Sequence, residues 1–333
     1  TQLPVPVPDT DGGFFDSSFT LHVSFPEDSQ LLYTTDGSPP TIENGKISSV
    51  GAFRVSSGSS HIYRFRLFRE GFLPSEVVTR SFIYKDKDYT LPLVSIVSDD
   101  KNFRDDSLGV LVSGHFSNYN KDWDRPVNLE YFNAGECLAN MECDFAISGA
   151  FSRSAEPRPF RIKANKLYRG INTIDTHFFP SKQLLKTKSI RFRNGGNDVS
   201  NRIKDGAVQE IIQRSGFYVD GQLWNPMHVF INGKYHGMLN AREPANKFYA
   251  YSNYGADTDN LDAFEYDPGT GYYQKDGDKE MFLKWFNMTY EAEDDGVYNE
   301  ICKIVDIDEY CNYMAAGCWL GSNDWIANNN NVK

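Results

Sequence analysis

Near its end the chain carries GSNDWIANNNNVK, in which Asp324 is followed by asparagines at 328–331. A carboxylate with amides at short spacing can orient a nucleophile and ligate a hard cation, because Asp and Asn oxygens suit magnesium. Three polar clusters lie upstream. SRSAEPRPFRIK gathers Arg153, Arg158, Arg161 and Lys163; RFRNGGNDVSNRIKDG sets Arg191, Arg193 and Arg202 among Asn197, Asp198 and Asp205; NAREPANKFY holds Glu243. Basic side chains beside a glycine-bearing turn can cradle phosphate, and arginine can do so bidentately. Each cluster also has a plain structural reading: a solvated strand face for the arginines, an ordered turn for Arg193–Asp198, an ion-pair partner for Glu243. DTDNLD, Asp257–Asp262, lacks the glycine and closing Glu of a calcium-binding hand and reads as an acidic surface loop. The histidines are scattered, none beside a Ser or Cys in a nucleophile setting.

These clusters fall where elements begin or end, which is where sites are usually assembled. FTLHVSF alternates, with Phe19, Leu21, Val23 and Phe25 on one side and Thr20, His22 and Ser24 on the other, the pattern of a half-buried strand. YTTDGSPPT supplies the turn dipeptide Asp36-Gly37 and then Pro39-Pro40, which cannot continue a ladder. IYRFRLFREGFLPSEVVTRSFIY reads as two more strands about a turn at Gly71–Pro74, so residues 1–85 are predicted to form a small β-sandwich.

A charged linker, Lys85–Tyr89, follows, and from residue 91 the pattern becomes mixed α+β. LPLVSIVS, GVLVSG and VNLEYF are predicted strands. In FRIK, Arg161 and Lys163 share one face while Phe160 and Ile162 take the other. KDGAVQEIIQRSG predicts a helix with the apolar stripe Ala207, Val208, Ile211 and Ile212, stopped by Gly216. HVFINGKYHGMLNARE is a hairpin turning at Asn232-Gly233. DIDEYCNYMAAGCWLG predicts a helix capped by Asp306, with Glu309 three residues on and Ile307, Cys311, Met314 and Cys318 on one face.

Composition bounds the function. The 333 residues suffice for two domains with proper cores. A net charge of −11 argues against a broad grip on nucleic acid, while leaving room for a local basic site. No apolar run is long enough for a transmembrane segment. The opening TQLPVPVPD has neither part of a signal peptide and reads as a trimmed end. Five cysteines fix no disulfide framework; Cys137 and Cys143 could pair, but all five read first as structural or bystander thiols.

Two resemblances extend this reading. LLYTTDGSPPT followed by FREGFLPSEVV resembles the chitobiase/hexosaminidase C-terminal-type module, a non-catalytic, immunoglobulin-like β-sandwich used as an accessory domain. Residues 91–333 resemble the spore coat protein H (CotH) kinase family, through LPLVSIVSDDKNF, ISGAFSR, FRIKA, RFRNGGNDVSNRIKDG, VFINGKYHGMLNARE and NDWIANNNNVK in that order. This implies a divergent protein-kinase-like α+β domain, secreted or at the cell surface. It also implies ATP with Mg2+ or Mn2+ as cofactors, a nucleotide partner and a protein hydroxyl as acceptor.

By matched position, Asp324 would orient or deprotonate the acceptor hydroxyl and Asn329, first among the candidates Asn328–Asn331, would bind metal, as the Asp and Asn of a kinase catalytic loop do. Arg158 and Lys163 would contact phosphate, Glu243 would end a strand beside the nucleotide cleft, and Asp205 would begin the small-lobe helix. Two departures stand out. The family usually has Lys where this chain has Arg158, a swap that changes contact geometry. Its second metal-binding Asp follows the asparagine loop, past Lys333, so an incomplete domain with slow or absent turnover is expected. The alternative is a non-catalytic surface binding or adhesion protein on a kinase-like scaffold.

Overall fold

Period-two alternation dominates the first half of the chain, and strands follow from it. The computed structural model describes residues 1–321 apart from Phe116, Leu185, Asn197, Val199 and the stretches 268–270 and 291–294. It is β-rich α+β. Contacts divide the chain into two compact units: Thr1–Ile203 with Asn225–Arg242, and Lys204–Trp224 with the chain from Glu243 onward.

The first unit opens with β1 (Val7–Pro8), β2 (Gly13–Phe15), β3 (Phe19–Ser24), β4 (Gln30–Thr34), β5 (Lys46–Ser48), β6 (Ala52–Val55), β7 (His61–Phe68) and β8 (Val78–Tyr84). They make two sheets, ordered β1-β3-β6 and β2-β8-β7-β4-β5. In β3, Leu21 and Val23 are buried while Thr20, His22 and Ser24 are exposed, as the alternation predicts. Leu21, Val23, Phe53 and Val55 from one sheet meet Leu31, Phe65, Leu67 and Phe82 from the other in one core. Each such side chain contributes about 2 kcal/mol relative to exposure.

A closed barrel follows, built from β9 (Leu93–Val97), β10 (Arg125–Asn133), β11 (Glu136–Ile147), β12 (Phe160–Lys163), β15 (Ser189–Arg193), β16 (Trp224–Ile231) and β17 (Lys234–Arg242). The short pair β13 (Ile174–Asp175) and β14 (Lys186–Thr187) lies outside it, and α1 (Lys101–Arg104) follows β9. The barrel runs β10-β11-β12-β15-β17-β16-β9 and closes through a parallel pairing of β16 with β9, His228 opposite Leu93 and Ile231 opposite Ile96. Inside, Phe160 stacks on Phe145 at 4.7 Å and on Phe192 at 4.8 Å, so three neighbouring strands are joined by one aromatic column. The predicted hairpin turns at Asn232 and Gly233, with φ of 48° and 74°, the two left-handed residues of a type I′ turn.

The two β layers of this unit are joined by polar groups as well as apolar ones. Glu130 on β10 is fully buried; its carboxylate accepts from the Ser81 amide at 3.3 Å, from the Ser81 hydroxyl, and from Asn140 Nδ2 at 3.4 Å. Ser95 Oγ donates to Ser81 Oγ at 2.8 Å, so β8, β9, β10 and β11 share one network. Burial is the dominant influence on Glu130 and pushes its carboxyl up to about 7, against the opposing pull of the Ser81 hydrogen bond. Tyr89, in the charged linker, is buried and stacks on Phe14 at 4.8 Å. At the Asp36-Gly37 turn, Gly37 has φ +87° and lies so close to the barrel that a Cβ would sit 2.2 Å from the Ser98 carbonyl.

One expectation fails in this unit. GVLVSG is a string of bends and turns, its Val110 and Leu111 amides donating to the Asn102 and Phe103 carbonyls at 3.0 Å each, outside any ladder. Cys137 and Cys143 are free thiols. Both sit on the continuous strand β11, where six residues span about 20 Å, far beyond disulfide reach.

The second unit contains α2 (Lys204–Ser215), α3 (Lys247–Tyr254), the hairpin β18 (Ala263–Asp267) and β19 (Gly271–Asp276), α4 (Glu280–Tyr290), α5 (Asp295–Ile301) and α6 (Ile307–Leu320). In α2 the buried position is Gly206, where a Cβ would lie 2.4 Å from the Trp224 ring, while Ile211 is 50% exposed. Trp224 also donates to Glu210 Oε2 at 3.2 Å, so the ring fixes the face carrying residues 206 and 210 inward and rotates Ile211 out of the expected stripe.

Asp306 caps α6 as predicted, accepting from the Glu309 amide at 3.1 Å. The Glu309 carboxylate instead accepts from the Asp220 amide at 3.0 Å. Cys311 and Cys318 are exposed, and the buried residue of that helix is Ala316. Among the described residues no helix is long and apolar enough to cross a membrane.

Candidate functional site

Strand β12 behaves as its alternation dictates: Phe160 and Ile162 are buried in the barrel, and Arg161 and Lys163 turn outward, half-exposed. Lys163 stands between Asp144 on β11 and Ser189 on β15. Asp144 accepts from Tyr168 Oη at 2.8 Å and Asn165 Nδ2 at 2.7 Å. Burial, then the nearby Lys163 and Lys166, lower the pKa of Lys188, against the opposing pull of Asp144.

Arg158, two residues before the strand, is only 6% exposed. Its Nε donates to the Leu111 carbonyl at 2.6 Å and its Nη1 to the Arg153 carbonyl at 2.7 Å. Glu156 lies 3.1 Å from Nε, and the guanidinium stacks 4.0 Å from the centre of the Tyr119 ring. The side chain thus ties together three stretches of loop. The main-chain oxygen of Arg158 is 2.9 Å from His236 Nε2, whose pKa burial lowers.

The register of β12, β15 and β17 produces an arrangement that no local pattern announces. Arg161 is opposite Arg191, and Arg191 is opposite Arg242. Directly opposed residues on adjacent strands project to the same side, so the three arginines leave the sheet in one row. Arg193, opposite Asn240, and Lys163, opposite Ser189, flank that row. Arg242 was absent from the basic clusters legible in the sequence; the signal available was its place in the outward phase of β17, whose inward residues Leu239 and Ala241 are fully buried.

RFRNGG is an ordered turn at the end of β15. Asn194 Nδ2 donates to the Ser152 and Ala155 carbonyls at 3.1 and 3.3 Å, while its Oδ1 accepts from the Gly196 amide at 3.1 Å. Gly195 has φ +90°, and a Cβ there would meet Arg202 Cα at 2.8 Å. Asp198 Oδ2 accepts from the Ile203 amide at 3.1 Å. These side chains are therefore directed at main-chain groups, of this loop and of the segment 151–155.

In the second unit, Asp205 lies in the first turn of α2, where the helix dipole favours a carboxylate. Glu243 is 4% exposed; its carbonyl accepts from Gln222 Nε2 at 3.2 Å and its Oε2 lies 3.5 Å from Asn253 Nδ2. A second acid was not singled out by sequence. Asp220 Oδ1 accepts from Tyr249 Oη at 2.7 Å and also from Tyr254 Oη. Both phenols are pushed well above the ordinary tyrosine range, first by burial and then by that hydrogen bond. Asp257 and Asp262 accept from the Asp259 and Asp278 amides at 3.0 and 2.8 Å.

Asp324 and Asn329 lie outside the described residues. Among the described residues no group of three or more His, Cys, Asp or Glu gathers at metal-binding distances.

Residues 145–332 match the profile of a family described as CotH kinase protein. No curated protein matches the chain.

Proposed function

The chain belongs to the CotH kinase protein family, and from that premise we propose that it transfers the γ-phosphoryl group of ATP to a hydroxyl on a protein, with Ser or Thr side chains as acceptors. The observation that carries this reading is the family match over residues 145–332. Phosphoryl transfer asks little covalent chemistry of a protein. It requires positioning and the neutralisation of charge. In this reading Asp324 holds and accepts the proton of the acceptor hydroxyl, Lys163 contacts phosphate, and Asn329 is the residue that would hold Mg2+ or Mn2+. A bound divalent cation would supply charge neutralisation at the phosphate oxygens.

By the family resemblance Asp205, in the first turn of α2, and Glu243, directly after β17, are the residues assigned to the nucleotide. Arg158 occupies the position of the usual lysine, and in this reading it acts through its loop contacts at Leu111 and Arg153. Residues 1–85 are read as an immunoglobulin-like accessory module and 91–333 as the kinase-like domain. Their place is outside the cell or on its surface.

The test is label transfer from γ-labelled ATP with manganese, to a protein acceptor mixture and to the chain itself. Transfer that Asp324→Asn abolishes supports the reading. No transfer, together with no ATP–manganese shift in melting temperature, overturns it in favour of a non-catalytic binding protein.

A further inference from the structure

We propose that the cleft between the first sheets and the barrel binds a neutral amide, an N-acyl or peptide unit carrying an aliphatic side chain, with Asn128 accepting from its N–H and Arg169 donating to its carbonyl. The cleft is a cavity of about 270 Å³. Its apolar walls are residues 5–8, which include β1, and Val77 and Val78 at the start of β8. Its polar floor is Asn128 of β10, Asn140 of β11 and Arg169 from the loop after β12. Of the lining residues only Arg169 falls within the family match, so the site stands independently of the kinase reading.

Strand period creates the floor. Val127, Leu129 and Tyr131 of β10 are buried in the barrel, so Asn128 and Glu130 leave by its outer side, opposite Glu142 and Asn140 of β11. Outward polar residues of a sheet usually end in water. Here the first sheets cover them, and Asn128 is only 3% exposed.

Neighbouring groups settle which way the Asn128 amide points. Asn140 Nδ2 lies 3.0 Å from the Thr79 carbonyl, which can only accept, so that end of Asn140 must be the donor. Asn140 Oδ1 therefore faces Asn128, which answers with its own Nδ2 at 2.9 Å. This leaves Asn128 Oδ1 with no donor among the described residues, on a side chain that lines the cavity. A buried acceptor without a donor is costly, and a bound N–H removes the cost. Arg169 offers the complement. Its Nη2 donates to the Val77 carbonyl at 2.8 Å and its Nε faces Glu76 at 2.7 Å, while Nη1 has no partner among the described residues.

Charge selects the ligand. The two lining arginines are each matched by a carboxylate, Arg80 by Asp11 at 3.1 Å and Arg169 by Glu76 at 2.7 Å. Glu142, 3.9 Å from Arg169 Nε, further opposes an incoming anion. One free acceptor, one free donor and aliphatic walls are what an amide beside an aliphatic group matches. Pro6 and Pro8 in the wall carry no N–H, so that side asks for no acceptor. The floor already reads main-chain carbonyls, Thr79 through Asn140 and Val77 through Arg169.

The experiment titrates the chain with N-acetyl-L-leucinamide, by calorimetry and by NMR of valine methyl groups. A Kd of about 1 mM is expected for a ligand this small. 4-Methylpentanoate, which adds charge, and glucose, which lacks the aliphatic group, should each bind at least about tenfold more weakly. In the chain without binding-site changes, the methyl signals of Val7 and Val77, assigned through Val7→Ile and Val77→Ile, should move while those of Val229 in the barrel core stay still. Asn128→Leu should weaken binding about tenfold, the loss of one hydrogen bond. Val7→Phe, at an exposed wall position that tolerates change, should crowd the cavity and weaken binding too; Val50→Phe, equally exposed but outside the cavity, should not. Tighter binding of acetyl-Ala-Leu-Ala-amide than of the single residue would identify a peptide as the source of the amide, and weaker binding a free N-acyl compound. Still Val7 and Val77 signals, equal binding of 4-methylpentanoate, or wild-type affinity in both Asn128→Leu and Val7→Phe would overturn the proposal.

Discussion

Replacing Glu130 by Gln should remove most of the decline in stability that this group imposes as pH rises. The carboxyl is raised from an ordinary 4.5 to about 7, chiefly by burial. Below pH 4.5 the folded and unfolded chains both hold the proton, and the group makes no difference. Between 4.5 and about 7 the folded chain alone retains it, so stability falls as pH rises; above about 7 the full penalty applies. Each tenfold difference in proton affinity between the folded and unfolded chains is worth about 1.4 kcal/mol. The full penalty is therefore about 3 kcal/mol, most of it developing between about pH 5 and 8.

Glutamine keeps the shape and carries no charge. Its carbonyl oxygen can still accept from the Ser81 amide and Asn140, and its amide can donate to the Ser81 hydroxyl. Urea unfolding, followed by tryptophan fluorescence from about pH 5 to 8, should show the wild-type midpoint falling by about 1 M relative to that of the variant. Other carboxylates titrate in both proteins and cancel in the difference. Parallel midpoints across that range would refute the reasoning.

Gly37→Ala should cost about 2 kcal/mol in urea unfolding, because the left-handed φ and the Ser98 carbonyl 2.2 Å from a new Cβ act together. Phe160→Ala removes the middle ring of the Phe145–Phe160–Phe192 column and should cost about 3–5 kcal/mol by the same measurement. Arg158→Lys should lower the melting temperature almost as much as Arg158→Ala, since a single ammonium cannot serve the Leu111 and Arg153 carbonyls in the geometry of a planar fork. A melting temperature restored by lysine would show that charge alone matters there.

What was legible in the sequence was whatever local chemistry decides. The strand Phe19–Ser24, the hairpin at Asn232-Gly233, the split faces of Phe160–Lys163 and the cap at Asp306 all follow from period, turn residue or side-chain oxygen. Contacts made at a distance were not legible. Ile211 belongs to the apolar stripe by period, but Trp224 pressing on Gly206 sets the helix face. Glu309 has the spacing of a capping box, yet the Asp220 amide, 89 residues away in sequence, takes its carboxylate. The contact of the Arg158 guanidinium with the Leu111 carbonyl joins residues 47 apart in the chain. The arginine row depends on register between strands that no neighbouring residues specify.

The parallel seam between β9 and β16 has a practical meaning for anyone cutting this chain. The family match begins at residue 145, inside β11, and omits β9 and β10 altogether. A fragment trimmed to that boundary would lose the two strands that complete the ring, exposing the free rims of β12 and β16 as open hydrogen-bonding edges. It would expose Phe145, Phe160 and Phe192 to water as well. Such a fragment is expected to aggregate on expression. Starting instead at residue 91 keeps the ring but uncovers Glu130, whose Ser81 partner belongs to β8. The smallest stretch that keeps both intact begins with the first sheet.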